Sequence, residues 1–274
     1  VPDASRSVGV VQNLLADNPS AYLAELAADY ERVRQQHANK KQIPIWPLAR
    51  ARANKTVVDW SHYQPPVPKF TGRRVFRNFD LAELAGFIDW GPFFQTWDLA
   101  GRFPDILKDE VVGTEAVRVY ADGQRMLKRL IEGRWLTANG VIGLYPANTV
   151  NDDDIEIYTD DSRTEVAMTW YGMRQQTEKQ VIDGVMRPSR CLADFIAPRS
   201  SGLKDYIGVF AVTAGIGVEK KEKYFLDDLD DYSAITLKAL ADRLAEAFAE
   251  CLHHRVRTDL WGYAPNEKLD NTEL

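Results

Sequence analysis

Cysteine is nearly missing from this sequence: Cys191 and Cys251 are the only two among 274 residues, and they share no Cys-x-x-Cys spacing. That scarcity argues against a disulfide framework and fits a reducing compartment, so a cytoplasmic location is expected. Histidine is scarce too, with four residues. His253 and His254 are adjacent, so on a helix their side chains diverge by about 100° and cannot share one ion; His37 and His62 stand alone in polar surroundings. No apolar run approaches the ~18 residues of a membrane span, and the opening Val-Pro-Asp-Ala-Ser-Arg-Ser lacks the order of a signal peptide, so no membrane association is expected. Positive charge is in deficit, 34 Lys and Arg against 40 Asp and Glu, for a net charge of −6. That is the wrong sign for binding by phosphate neutralisation, so nucleic acid is not an expected partner. No P-loop, Gly-x-Gly-x-x-Gly or Gly-x-Ser-x-Gly occurs, and no Ser-His-Asp or Cys-His pattern can be defended.

What is present is enough to fold: 45% of the residues are hydrophobic and 11% aromatic. Tyr22, Leu23, Leu26, Ala27, Tyr30 and Val33 recur at helical spacing after Asn18-Pro19-Ser20, and the polar stretch Gln35 to Lys41 closes that helix, placing a boundary near residue 42. Prolines 44, 47, 65, 66 and 68 then predict an extended surface segment. Asp80 three residues before Glu83 reads as a capping-box start. A helix or broken pair is expected over Pro104 to Leu130, with Ile106, Leu107, Val111, Val117, Tyr120, Leu127 and Leu130 inward. Strands are expected at Val141 to Ala147, Ile155 to Tyr158 and Tyr206 to Thr213, with strand-end turns at Tyr145-Pro-Ala-Asn148 and Thr213-Ala-Gly-Ile-Gly217. The strongest helix runs from Ile235 to Arg257. Strands and helices mix without strict alternation, which predicts an α+β fold.

Two constellations could carry chemistry. In Ile88-Asp89-Trp90-Gly91-Pro92-Phe93-Phe94-Gln95-Thr96-Trp97 a single carboxylate sits among aromatic rings, a setting that suits an ammonium, a ribose hydroxyl or a sulfonium. The competing reading makes the rings core and Asp89 a turn cap. Asp242, Glu246 and Glu250 form an acidic stripe on the last long helix, either a grip for a cation or partner or a solvated face. The acidic run Asn151-Asp-Asp-Asp154 lacks EF-hand spacing and reads as a solvated loop.

Eight strings, in order, resemble the activation domain of cobalamin-dependent methionine synthase: Ile88 to Trp97, Asp109-Glu-Val-Val-Gly113, Gly143-Leu-Tyr-Pro-Ala-Asn148, Asp154-Ile-Glu-Ile-Tyr158, Arg174-Gln-Gln-Thr-Glu-Lys179, Cys191-Leu-Ala-Asp-Phe195, Lys238 to Phe248, and Trp261-Gly-Tyr-Ala-Pro-Asn266. Asp3 to Ser7 resembles the junction with the preceding cobalamin-binding domain. The resemblance implies a C-shaped α+β single domain around a twisted antiparallel sheet with flanking helices, residues 42–274, preceded by a linker and helix over 1–41. It implies a methyltransferase module that binds S-adenosylmethionine for the reductive methylation of cob(II)alamin. Cobalamin would be held by the neighbouring domain and zinc elsewhere in the full-length enzyme, with flavodoxin or a flavoprotein reductase supplying the electron. Asp89 matches the donor-contacting aspartate of the family; Glu246 and Asp242 match acidic positions that face the ligand or the cobalamin domain. The family's Arg-x-x-x-Gly-Tyr-Pro-Ala motif is expected beyond Leu274, after a capping-box-like start at Asp270 to Glu273, so the resemblance implies half a donor site, weak or no binding of S-adenosylmethionine by this chain, and a fragment inactive alone. The alternative is a docking module for flavodoxin and the cobalamin domain that does not hold the donor, with Lys220, Lys221 and Lys223 or Arg73, Arg74 and Arg77 as basic patches. A glycosidase-like hydrolase ranks last, because no acid pair stands out in the aromatic segment.

Overall fold

A computed structural model describes residues 7–16, 18–38 and 43–269. The boundary expected near residue 42, most of the Asp3 to Ser7 junction and the start expected at Asp270 to Glu273 lie outside them. The chain divides into two compact units, Val1–Asn54 with Gln175–Ser189, and Lys55–Arg174 with Arg190–Leu274.

In the first unit, α1 spans Ser7–Leu14 and α2 Ser20–Ala38. The Asn18 side chain accepts the Ser20 N–H at 3.2 Å, which starts α2 where Pro19 and Ser20 predict it. No residue of α2 is buried, so its apolar stripe has no cover among the described residues. The proline-rich segment departs from an extended surface run. Trp46 is buried beneath the Arg50 guanidinium, 4.0 Å from the ring centroid, and α3 forms at Leu48–Ala53 with Pro47 at its N-cap, where a proline costs no helical hydrogen bond.

The second unit carries the sheet. Its strands and helices enter in the order β1 (Gly72–Phe76), α4 (Leu81–Ala85), α5 (Gly91–Gln95), a 3-10 turn (Asp105–Lys108), α6 (Gly113–Glu132), β2 (Thr137–Val150), β3 (Asp154–Tyr158) and β4 (Val166–Tyr171). A small hairpin, β5 (Val181–Ile182) and β6 (Val185–Met186), belongs to the first unit and turns on Asp183 and Gly184, both at positive φ. Back in the second unit, β7 (Asp205–Ile216) leads to α7 (Val218–Asp227) and α8 (Asp231–Arg255), which closes in a π-turn over Val256–Leu260. The fold is α+β with an antiparallel sheet, as expected.

β2 is the spine of that sheet. β7 pairs with one of its edges; β1 pairs with residues 140–144 of the other edge and β3 with residues 147–150, and β4 extends the sheet beyond β3. The turn expected at Tyr145-Pro-Ala-Asn148 is therefore strand. Pro146 is tolerated because it falls between the β1 and β3 pairings, where its missing N–H leaves no gap in either ladder. The principal core lies where α6 and α8 meet the sheet, with Phe93, Phe94, Leu130, Ala138, Leu240, Leu244 and Phe248 all nearly inaccessible. Gly140 is the price of that packing: a Cβ there would sit 2.9 Å from the Phe248 ring.

Two further expectations are corrected. The 104–130 helix is a broken pair in which Ile106, Leu127 and Leu130 are buried, but Val111 is 91% exposed in the turn between the 3-10 segment and α6, and Val117 is 50% exposed because it lies about 120° round α6 from the stripe of Ala116, Val119, Gly123, Leu127 and Leu130. The run at 151–154 is not simply a solvated loop: Asp153 is buried and ion-paired with Arg174 at 2.7 Å.

Candidate functional site

α8 carries Leu240, Leu244, Phe248, Cys251 and Leu252 on its buried face, and Asp230 caps its start by accepting the Ser233 N–H at 3.0 Å. The buried stripe fixes the helix's rotation, and with it the direction of Arg243, Glu246 and Glu250. α4 is anchored to the same helix. Asp80 accepts the Ala82 N–H at 2.9 Å, and Glu83, rather than completing a capping box, pairs with Arg255 of α8.

The segment between α4 and α5 brings the first constellation to this helix. Trp90, Phe93 and Phe94 are buried, Trp90 edge-on to Tyr120 of α6 at 4.9 Å and to Phe93 at 5.2 Å, so the rings serve as core. Asp89 remains exposed; its Oδ1 accepts the Gly91 N–H at 2.8 Å, which shapes the turn into α5. The core reading of the rings holds, and the turn they fix leaves the Asp89 carboxylate at the surface.

Asp89 and Glu246, more than 150 positions apart in sequence, line one cleft of about 550 Å³ together with Glu250, Arg102 and Arg243; Phe87, Ile88, Trp90, Gly91, Pro92 and Phe103 complete its walls. The volume suits a ligand of nucleoside size. Its charged lining, three carboxylates and two guanidiniums, suits a ligand with one anionic group and more than one cationic or hydroxyl group. Asp242 is not part of the lining. It is 73% exposed and its Oδ2 lies 2.5 Å from Nη2 of Arg243, so it acts on the cleft through that arginine. Glu250 enters the cleft from the acidic stripe that the spacing already marked, whereas Arg102 is a lining residue that no local sequence signal selects. No group of three or more His, Cys, Asp or Glu suited to a metal occurs among the described residues, and none of their helices is long and apolar enough to cross a membrane.

Cys251, on the same helix but facing inward, is pushed up to about 12 by burial and then by the Glu83 carboxylate, so it is an inert thiol and not a nucleophile.

Comparison with known proteins places these features in a family. Residues 80–274 match the family described as vitamin B12 dependent methionine synthase, activation domain. Among solved structures, a crystal structure of the MetH reactivation domain bound to AdoHcy is 50% identical with a TM-score of 0.77, over 84% of this chain and 69% of that one.

Proposed function

The chain belongs to the activation-domain family of vitamin B12-dependent methionine synthase, and we propose that its Asp89 cleft holds S-adenosylmethionine for the reductive methylation of cobalamin. The observation that carries this reading is the convergence of Asp89, Glu246 and Glu250 on one aromatic-walled cleft, in a chain half identical to a domain crystallised with AdoHcy. The carboxylates suit the donor's ammonium, sulfonium and ribose hydroxyls, the guanidiniums its carboxylate, and the ring edges its adenine.

Cobalamin held by a neighbouring domain would supply a reduced cobalt able to accept the methyl group, and the S–CH₃ bonding pair would then stay on the donor's sulfur. What this chain's residues do is bind and orient the donor and keep water from the sulfonium; none need move a proton. Alone, without cobalamin, the chain is a donor-binding module and not a catalyst. For an acidic flavodoxin as electron source, Arg73 on β1, Arg77 just after it and Lys220 on α7 are the exposed basic groups to test, since Lys223 is tied to Asp227, Lys221 lies over the Trp135 ring and Arg74 lies over the Phe70 ring.

The test is a calorimetric titration of S-adenosylmethionine into the chain and into Asp89→Asn and Glu246→Gln. Loss of a charged hydrogen bond is worth about 1.5–3 kcal/mol, so each variant should weaken binding about 10- to 100-fold. Binding that neither substitution changes would remove the donor from this cleft.

A further inference from the structure

Glu250 is the carboxylate of the Asp89 cleft whose presence the fold does not explain. Asp89 accepts the Gly91 N–H and shapes a turn. Neither Glu246 nor Glu250 has a hydrogen bond or ion pair among the described residues, and Glu250 is half-buried where Glu246 is exposed. The two acids sit one helical turn apart and repel each other, and the walls of Phe87, Ile88 and Phe103 keep part of the screening water away. Arg102 lines the same cleft and pairs with neither acid. Stability gains nothing from this arrangement, whereas a ligand with two cationic groups and one anionic group satisfies all of it.

The order of charges along α8 gives such a ligand a direction. Arg243, Glu246 and Glu250 follow one another on one stripe at intervals of three and four residues, which are about 4.5 and 6 Å along the helix axis. The charges run plus, minus, minus. S-adenosylmethionine carries the complement in its tail: a carboxylate, an ammonium on the adjoining carbon, and a sulfonium two methylenes further on. In that register the carboxylate lies at Arg243, the ammonium at Glu246 and the sulfonium at Glu250. The reverse direction would set the ligand's carboxylate against Glu250 and its sulfonium against Arg243, so charge alone selects the first.

We propose that Glu250 is the specificity-determining residue of the cleft, facing the sulfonium so that the site favours the methyl donor over its spent thioether. The inference rests on the donor-binding reading of the cleft and adds the residue that tells substrate from product. The demethylated product keeps the ammonium and the carboxylate but has a neutral sulfur, because the methyl group leaves without the S–C bonding pair. Glu250 then has no partner again, and the product is held by the groups that both ligands share. Discrimination of this kind is a difference of affinities, set by one charge that meets its counter-charge in the donor and meets none in the product.

The experiment is calorimetric titration of three ligands into the natural chain, Glu250→Gln, Glu250→Asp and Glu246→Gln. The ligands are S-adenosylmethionine, AdoHcy, and sinefungin, which carries an ammonium in place of the methylsulfonium. Glu250→Gln should weaken the two charged ligands about 10-fold and AdoHcy less than about 2-fold, as expected for one unit charge facing another in a partly desolvated site. Glu250→Asp should restore most of the difference. Glu246→Gln, which faces the ammonium common to all three, should weaken all of them and shift their ratio less. Equal weakening of the three ligands by Glu250→Gln overturns the proposal, since it would mark a structural role or contact with a shared group; so does a Glu250→Gln variant that binds all three as the natural chain does. A chain that binds none of them, or whose binding Asp89→Asn leaves unaltered, is a different failure: it overturns the donor-binding reading of the cleft, and this inference with it.

Discussion

Arg174 is the perturbation with the largest expected effect on the fold. Its side chain is inaccessible, as are, within 5%, the carboxylates of Asp153 and Asp194 that it joins. Nε reaches Asp153 at 2.7 Å, Nη1 and Nη2 grip Asp194 at 3.0 and 2.7 Å, and Nη2 also donates to the Asp152 carbonyl at 3.0 Å. Burial works against the guanidinium's charge, but the hydrogen bonds it donates to Asp194 and Asp153 outweigh it and hold its pKa above the usual arginine value. One side chain therefore ties the end of β4 to the β2–β3 turn and to the 3-10 turn at Leu192–Phe195, whose Asp194 also accepts the Cys191 N–H at 3.0 Å. Replacing Arg174 by Met keeps the volume but strands two carboxylates in the interior, and breaking a buried pair in this way costs about 3–5 kcal/mol. At about 2–4 °C per kcal/mol for a domain of this size, the melting temperature should fall by about 6–20 °C. Arg174→Met/Asp153→Asn/Asp194→Asn should recover roughly half of that loss, because no buried charge is left unmatched. Urea unfolding followed by tryptophan fluorescence measures both. A loss below about 1 kcal/mol for Arg174→Met would refute the reasoning, since the site would then be wet enough to solvate the two acids.

Gly123 of α6 lets Phe93 approach so closely that a Cβ would lie 2.7 Å from the ring; Gly123→Ala should cost about 1–3 kcal/mol despite its better helix propensity, and weaken ligand binding by moving α5, as unfolding and titration on one variant can measure. Cys251 has a folded pKa of about 12, above its ordinary value, so the fold favours the protonated thiol: its contribution is intact below about pH 8.5 and is lost as pH rises toward 12. The stability difference between the natural chain and Cys251→Ala should therefore shrink over that window, and native Cys251 should resist iodoacetamide at pH 8. In the cleft, S-adenosylmethionine carries one more positive charge than AdoHcy, and at low salt it should bind more tightly, by a ratio that falls in Glu246→Gln and at high ionic strength. Asp242→Asn should weaken ligand binding less than Glu246→Gln, because it only loosens Arg243.

Long periodic elements are legible in this sequence because their signal is carried by many residues. α8, β2, β3 and β7 appear within a few positions of where the spacing predicts them. β4 is not legible: its six residues are mostly exposed, so it lacks the alternation that marks a half-buried strand. Asp153 was unreadable for a different reason, since its partner Arg174 is 21 positions away in another element and nothing local separates a buried acid from a solvated one. At Val111 the 3.6-residue count is broken by the turn between the 3-10 segment and α6, and at Val117 the residue type was right but its angle on α6 lies off the buried stripe. Of the cleft, Asp89, Glu246 and Glu250 were candidates on residue chemistry and spacing, each with a bland competing reading, and the family resemblance was what favoured Asp89 and Glu246. An acidic stripe on a helix is solvated surface unless another element supplies the facing wall, and that element, the Asp89 segment, lies far away in sequence.

The dual role of that segment also decides which experiments can speak to function. Trp90 belongs to the core and to the wall of the cleft together, so truncating it removes about 3–5 kcal/mol of packing along with the site, and loss of binding would say nothing of contact with a ligand. Asp89 and Glu246 are exposed, and an amide of the same shape at either position changes the charge of the cleft while leaving its wall in place. At Asp89 the amide oxygen can still accept the Gly91 N–H that forms the turn. Binding lost in Asp89→Asn with the melting temperature unchanged would therefore be a statement about electrostatics at the ligand, the one quantity on which the reading of the cleft depends.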